Sequence, residues 1–235
     1  NDEWGVTVRD SIDLQLIDLT IRNSTQFPSL DIDNQGVSHH GKVILNNITI
    51  EQACNITPTD GSCDGGDSWI TMKLKNVDAE INSLYLSTGG CGFYWSAKGD
   101  LISYINDSYI SQDPECMVGD TFAWQLVDHT QLEGINLDLS NAPTSLKNSV
   151  VNISNSIAPS SLSFSSWESN GVQFDFETTS HLRWISSSIT SDEIENIEFT
   201  SNDSILDIMW NVEVHVLNQY LNHIPYSSVN LSFDQ

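Results

Sequence analysis

Hydrophobic alternation that repeatedly loses its phase is the strongest constraint on how this chain folds. Ile12, Leu14 and Leu16 lie two apart, as on one face of a strand, and the apolar positions then move to Ile17, Leu19 and Ile21. A one-residue slip carries every later side chain to the opposite face, so the pattern predicts a bulge or sharp bend in a long, curved strand. The stretch 69–87 slips twice: Ile70, Met72 and Leu74 give way to Val77, Ala79 and Ile81, and these to Leu84 and Leu86. That is long for one strand, so it reads as a strand bent by bulges or as two strands joined tightly at Asn82-Ser83. Further strand-like runs occupy 42–51, 93–104, 122–127, 135–139, 162–164, 172–176 and 182–185. No repeat of constant period is visible. The polar, Ser- and Asn-rich piece 141–161, with Pro143 and Pro159, is the most linker-like segment of what otherwise reads as a single module, 1–235.

One segment departs from alternation. Between Ser204 and His223, Ile205, Ile208, Met209, Val212, Val216 and Tyr220 recur at helical spacing, with Asn202, Asp203 and Ser204 as N-cap candidates and Pro225 as a stop. Residues 212–216 also alternate, which keeps a strand open there. Val229, Leu231 and Phe233 suggest a final strand. The expected fold is therefore α+β and β-dominated, a long curved antiparallel sheet packed on one long C-terminal helix. An all-β sandwich is the alternative.

Asn-x-Ser/Thr sequons at Asn23, Asn47, Asn55, Asn106, Asn152, Asn202 and Asn230 run from end to end, none with Pro in the middle. They predict N-linked glycans and a secretory route. The four cysteines, Cys54, Cys63, Cys91 and Cys116, suit the same oxidising compartment as disulfides. Four cysteines allow three pairings; 54–63 with 91–116 is favoured because each closes a hairpin-sized loop. Their spacing matches no zinc ribbon, so no metal is expected there. The opening Asn1-Asp-Glu-Trp4 reads as a mature terminus, and no hydrophobic run approaches the ~20 residues of a membrane span. A secreted, extracellular protein is expected.

Charge narrows the partners. Thirty-two acidic residues face eight basic ones, for a net charge of −24, and the basic residues form no cluster in sequence. Such a surface repels nucleic-acid phosphates and anionic membranes. Catalytic signatures are missing: no nucleophile elbow, no zinc-binding helix motif, no phosphate-cradling glycine loop. Asp31 to Gly36 imitates the start of an EF-hand loop, but Lys42 stands where the loop needs a bidentate Glu. Asp60, Asp64 and Asp67 read as a solvated turn, with calcium binding as the alternative; the His39-His40 pair and His215 with His223 read as solvated polarity, and the strand pairs Asp31/Asp33 and Asp175/Glu177 as chance neighbours rather than glycosidase carboxylates. No enzyme and no cofactor are expected.

From Ile205-Leu-Asp-Ile-Met-Trp210 through Val216-Leu-Asn-Gln-Tyr-Leu221, then Ile224-Pro225 and Val229-Asn-Leu231, the chain resembles the closing helix and strand of tubular lipid-binding (TULIP) proteins. Asn218 and Leu221 stand at the spacing of that family's Asn-x-x-Leu element. The resemblance implies a tunnel between sheet and helix that holds an acyl chain or other apolar small molecule, lined by Ile205, Ile208, Met209, Val212, Val216 and Tyr220. The family's N-terminal helix and its basic patch are absent, which removes endotoxin binding from what the resemblance implies. The other expectation is a structural glycoprotein that self-assembles, as a homo-oligomer, into an extracellular filament, tube or coat.

Overall fold

The computed structural model describes residues 5–11, 13–22, 28–36, 42–51, 70–88, 92–112, 124–142, 144–158, 174–177, 179–187, 197–199 and 201–211. The chain alternates between two sheets throughout. The first sheet stacks β1 (Val6–Arg9), β4 (Leu30–Asp33), β6 (Met72–Lys75), β8 (Phe93–Ser96), β10 (Trp124–Val127), β12 (Thr144–Lys147), β14 (Phe174–Glu177) and β16 (Glu198–Phe199) in that order. The second stacks β2 (Gln15–Ile17) with its continuation β3 (Thr20–Arg22), then β5 (Val43–Glu51), β7 (Ala79–Thr88), β9 (Ser103–Gln112), β11 (Leu132–Asn141), β13 (Val150–Ser154), β15 (His181–Ile185) and β17 (Ile205–Met209). All these pairings are parallel, and each strand's neighbours come from the coil before and the coil after. The result is a parallel β-helix, whose eight-strand first sheet stacks at ~4.8 Å per coil to roughly 34 Å.

The phase slips are its corners. In seven successive coils of the second sheet a residue with positive φ occupies the same register position: Asp18, Asn47, Ser83, Asp107, Asn136, Asn155 and Ser186. A second corner follows the first sheet, with Asp10, Asn76, Asp128 and Asn148 in the same conformation. Asn and Asp tolerate the left-handed region better than other side-chain-bearing residues, and nine of the eleven non-glycine residues found there are Asx. The turn moves the next inward position three residues on instead of two. Leu45 is followed inside by Ile48, Leu74 by Val77, and Ile81 by Leu84, all fully or almost fully buried.

The inward side chains fill the coil. Leu30, Ile32, Leu45, Ile48, Ile50 and Met72 are wholly inaccessible, as are Trp95, Trp124 and Trp184. Phe93 stacks on its register partner Trp124 with centroids 6.5 Å apart, and Trp95 Nε1 donates to the Val77 carbonyl at 2.8 Å. Buried serines explain part of the polar composition. Where a corner points a backbone N–H away from any carbonyl, the next coil's serine accepts it: Ala79 N–H to Ser103 Oγ (3.3 Å), Leu84 to Ser108 (3.1 Å), Leu137 to Ser156 (2.9 Å), Ser180 to Ser204 (3.1 Å). Each such bond spares an orphaned donor costing ~1–3 kcal/mol.

Three expectations are corrected. The sheets are parallel, not one antiparallel sheet, and the described residues contain no helix for a sheet to pack on. The all-β sandwich fails too, because the two sheets are built alternately by every coil. Finally, the predicted helix from Ser204 opens as β17, paired residue for residue with β15 from His181↔Ile205 to Ile185↔Met209. Leu206 and Ile208 continue the inward columns of Leu182 and Trp184, and this pairing outweighs the local helical spacing. Positions 212–223 lie outside the described residues. The linker-like segment 141–161 holds β12 and β13, each paired on both sides.

Candidate functional surface

Because inward positions make the core, chemistry among the described residues must come from the outward columns and the corners. The densest polar set lies on the outer face of the second sheet, on β11 to β17 just before its corner. Register stacks Glu133, Asn152, Arg183 and Asp207 in one column. Asn152 Nδ2 donates to Glu133 Oε1 at 2.7 Å, its Oδ1 accepts from Arg183 Nη1 at 3.3 Å, and Arg183 Nε lies 3.9 Å from Asp207 Oδ2. Gln131 Nε2 donates to Glu133 at 2.5 Å, and His181 Nε2 sits 2.8 Å from Asp207 Oδ2. Three coils earlier, Lys42 bonds Glu80 at 3.1 Å and lies 4.3 Å over the Tyr104 ring. Lys42 first, and Asn82 second, hold the Glu80 carboxyl below its ordinary range.

The corner residues form amide ladders. Asn47 Nδ2 donates to Asp18 Oδ1 at 2.6 Å, Asn136 to Asp107 at 2.7 Å, Asn148 to Asp128 at 3.0 Å, and Asn155 to Asn136 Oδ1. Beside this corner Asn106 donates to Asn82 at 3.0 Å. Tyr85 stacks on its register partner Tyr109 at 5.1 Å on the outer face beyond it.

This arrangement is poor in reactive geometry. Glu133 and Asp207 are three strand spacings apart, ~14 Å, beyond the reach of a paired-carboxylate glycosidase. Asp31 is bound by Arg9 at 2.5 Å, and Asp33 faces Lys75 at 3.9 Å. Among the described residues no three His, Cys, Asp or Glu side chains converge as a metal site. His129 is fully buried, its ring edge-on to Trp95 at 4.9 Å and its Nε2 3.1 Å from the Trp95 carbonyl. Burial pushes its pKa down to about 4, so it is a neutral core group that no substrate reaches.

The residues singled out from sequence fall as follows. Ile205, Ile208 and Met209 lie on strand β17, not on a helix; Ile205 and Met209 point outward and Ile208 inward. Val212, Val216 and Tyr220 lie outside the described residues. So do Cys54, Cys63, Cys91 and Cys116, the sequons at Asn23, Asn55 and Asn230, His39, His40, His215 and His223, Asp60, Asp64 and Asp67, and the side chains of Asp175 and Glu177. Asn47, Asn106 and Asn152 are members of the polar ladders, whereas Asn202 is exposed in a turn. Sequence reasoning did not find the ladders or His129. The Asx residues standing at each phase slip were the available signal for the ladders; His129 offers none.

No family model matches this chain, and no curated protein or solved structure matches it either.

Proposed function

We propose that this chain is a non-catalytic structural glycoprotein module: a stiff, extracellular rod of stacked coils that builds a filament, tube or coat from its own copies. The observation that supports it most is the division of labour across the coil wall. Inside, aliphatic and indole side chains occupy the space a ligand would need. Outside, carboxylates are tied to Lys, Arg, Asn and His neighbours along the stack rather than gathered around a reacting atom. Ile205, Met209 and Trp210, exposed on the last described coil, add apolar surface for contact between copies. A charge of −24 opposes close approach, so assembly should need screening by salt or divalent cations.

Electron microscopy and size-exclusion chromatography of the purified protein test this, first at low salt and then with added calcium. The expected outcome is separate short rods that join into ordered filaments or sheets once cations are present. A monodisperse monomer at high concentration under both conditions would overturn the proposal.

A further inference from the structure

Four of the sequon asparagines are described, and the fold treats them in two ways. Asn47, Asn106 and Asn152 spend their side-chain amides on neighbouring coils, giving Nδ2–H to Asp18, Asn82 and Glu133 at 2.6, 3.0 and 2.7 Å. Asn106 Oδ1 is sealed from solvent, and Asn152 Oδ1 accepts from Arg183. Coils above and below each of the three lie ~4.8 Å away, about the thickness of one pyranose ring. A sugar on Nδ2 removes one amide hydrogen and must stand beside Oδ1, which is sealed at Asn106 and held by Arg183 at Asn152; Asn47 is exposed, and there the sugar competes with the bond to Asp18.

Asn202 differs. It sits in the exposed turn joining β16 to β17, where Ser204 N–H reaches the Ser201 carbonyl at 3.3 Å and Asp203 N–H reaches Ser201 Oγ at 3.3 Å. This corner is one residue longer than the one a coil earlier. Asp175 and His181 are six positions apart, and their register partners one coil on, Glu198 and Ile205, are seven. The extra residue carries Asn202-Asp203 outward, and the Asn202 side chain makes no hydrogen bond among the described residues.

We propose that Asn202 is the N-glycan acceptor on the described surface, and that Asn47, Asn106 and Asn152 remain unmodified because their amides are structural. In the transfer, Asn202 Nδ2 attacks the anomeric carbon of a lipid-pyrophosphate-linked oligosaccharide. An N–C bond forms as the C–O bond to phosphate breaks, the lipid pyrophosphate leaves with the electron pair, and one amide proton passes to base. The proposal rests on the extracellular reading above.

The test is site-by-site glycopeptide mass spectrometry of the full chain secreted from a glycosylating host, with circular dichroism to confirm folding. Occupancy at Asn202 and none at the other three is the expected result. Asn202→Gln should remove one glycan's mass without altering the melting curve. Asn47→Gln, Asn106→Gln and Asn152→Gln should each leave the mass pattern unchanged and lower the melting temperature. Folded, secreted protein with an empty Asn202, or with sugar on any of the three ladder residues, overturns the proposal while leaving the extracellular rod in place. Native protein recovered bare from the cytosol overturns both.

Discussion

The two corners of the coil solve the same turning problem differently. Within the second sheet, seven consecutive coils turn at one register position, each with a single left-handed Asp, Asn or Ser, and the amides there form a ladder. After the first sheet left-handed Asx residues recur at Asp10, Asn76, Asp128 and Asn148, but the turn changes length from coil to coil and adds groups found once. Asp78, buried, accepts backbone N–H from Gly99, Asp100 and Leu101 at 3.0, 3.1 and 3.1 Å, fastening an extended turn. In that turn Gly99 has φ 84, and a Cβ there would meet Thr130 Oγ1 at 2.6 Å. In the next coil, His129 fills the corner against Trp95. The regular corner spreads its stability over many equivalent rungs. The irregular one concentrates it in a few residues without substitutes, and also provides the outward room in which Asn202 sits.

The contrast makes Asp78→Ala the most damaging of these changes. Three N–H groups lose their acceptor at ~1–3 kcal/mol for each that water cannot satisfy, giving a loss of about 4 kcal/mol by chemical denaturation. Amide exchange should rise first at 99–101.

Acidification probes the same corner through His129. Its folded pKa of about 4 lies below the ordinary ~6.5 of an unfolded histidine, so the native state favours the neutral ring. This contribution is complete above pH ~6.5 and is lost as pH falls toward 4, by up to about 3 kcal/mol. Denaturant midpoints measured across that window should fall more steeply for the native chain than for His129→Phe.

In the regular corner, Asn136→Gly keeps the left-handed turn but removes the bonds to Asp107 and Asn155. It should cost about 1–2 kcal/mol. Were it to cost more than Asp78→Ala, the distinction between a distributed and a concentrated corner would fail. Smallest is Lys42→Ala. Its ion pair with Glu80 and its contact with Tyr104 are partly solvated, and their loss should lower stability by about 0.5 kcal/mol, measurable mainly at low salt.

How much of this was legible in the sequence differs by level. The slips from Leu16 to Leu19 and from Leu74 to Val77, and the break at Asn82-Ser83, marked places where the chain turns, because the inward step of three is a local property. Parallel pairing was not legible. One-face alternation is the usual mark of an antiparallel sheet with a solvated side. The repeat that would have revealed the coils is also hidden by their lengths: Thr144 stacks on Trp124 20 positions earlier, but Met72 stacks on Leu30 42 positions earlier. At Ile205 to Met209, five residues carry too little pattern to separate helix from strand, and the deciding partner, β15, lies a full coil away. The polar column Glu133–Asn152–Arg183–Asp207 was illegible for the same reason, since its members become neighbours only through register.

Register is therefore the claim on which the account stands. Ser154 and Ile185 face each other in adjacent coils, and Met209 continues the column one coil further. Neighbouring Cα atoms ~4.8 Å apart suit a disulfide, whereas two coil spacings, ~10 Å, do not. Peptide mapping of the oxidised double variants is the most direct measurement. The parallel register predicts a 154–185 cross-link in Ser154→Cys/Ile185→Cys and none in Ser154→Cys/Met209→Cys. A 154–209 link without a 154–185 link would contradict it.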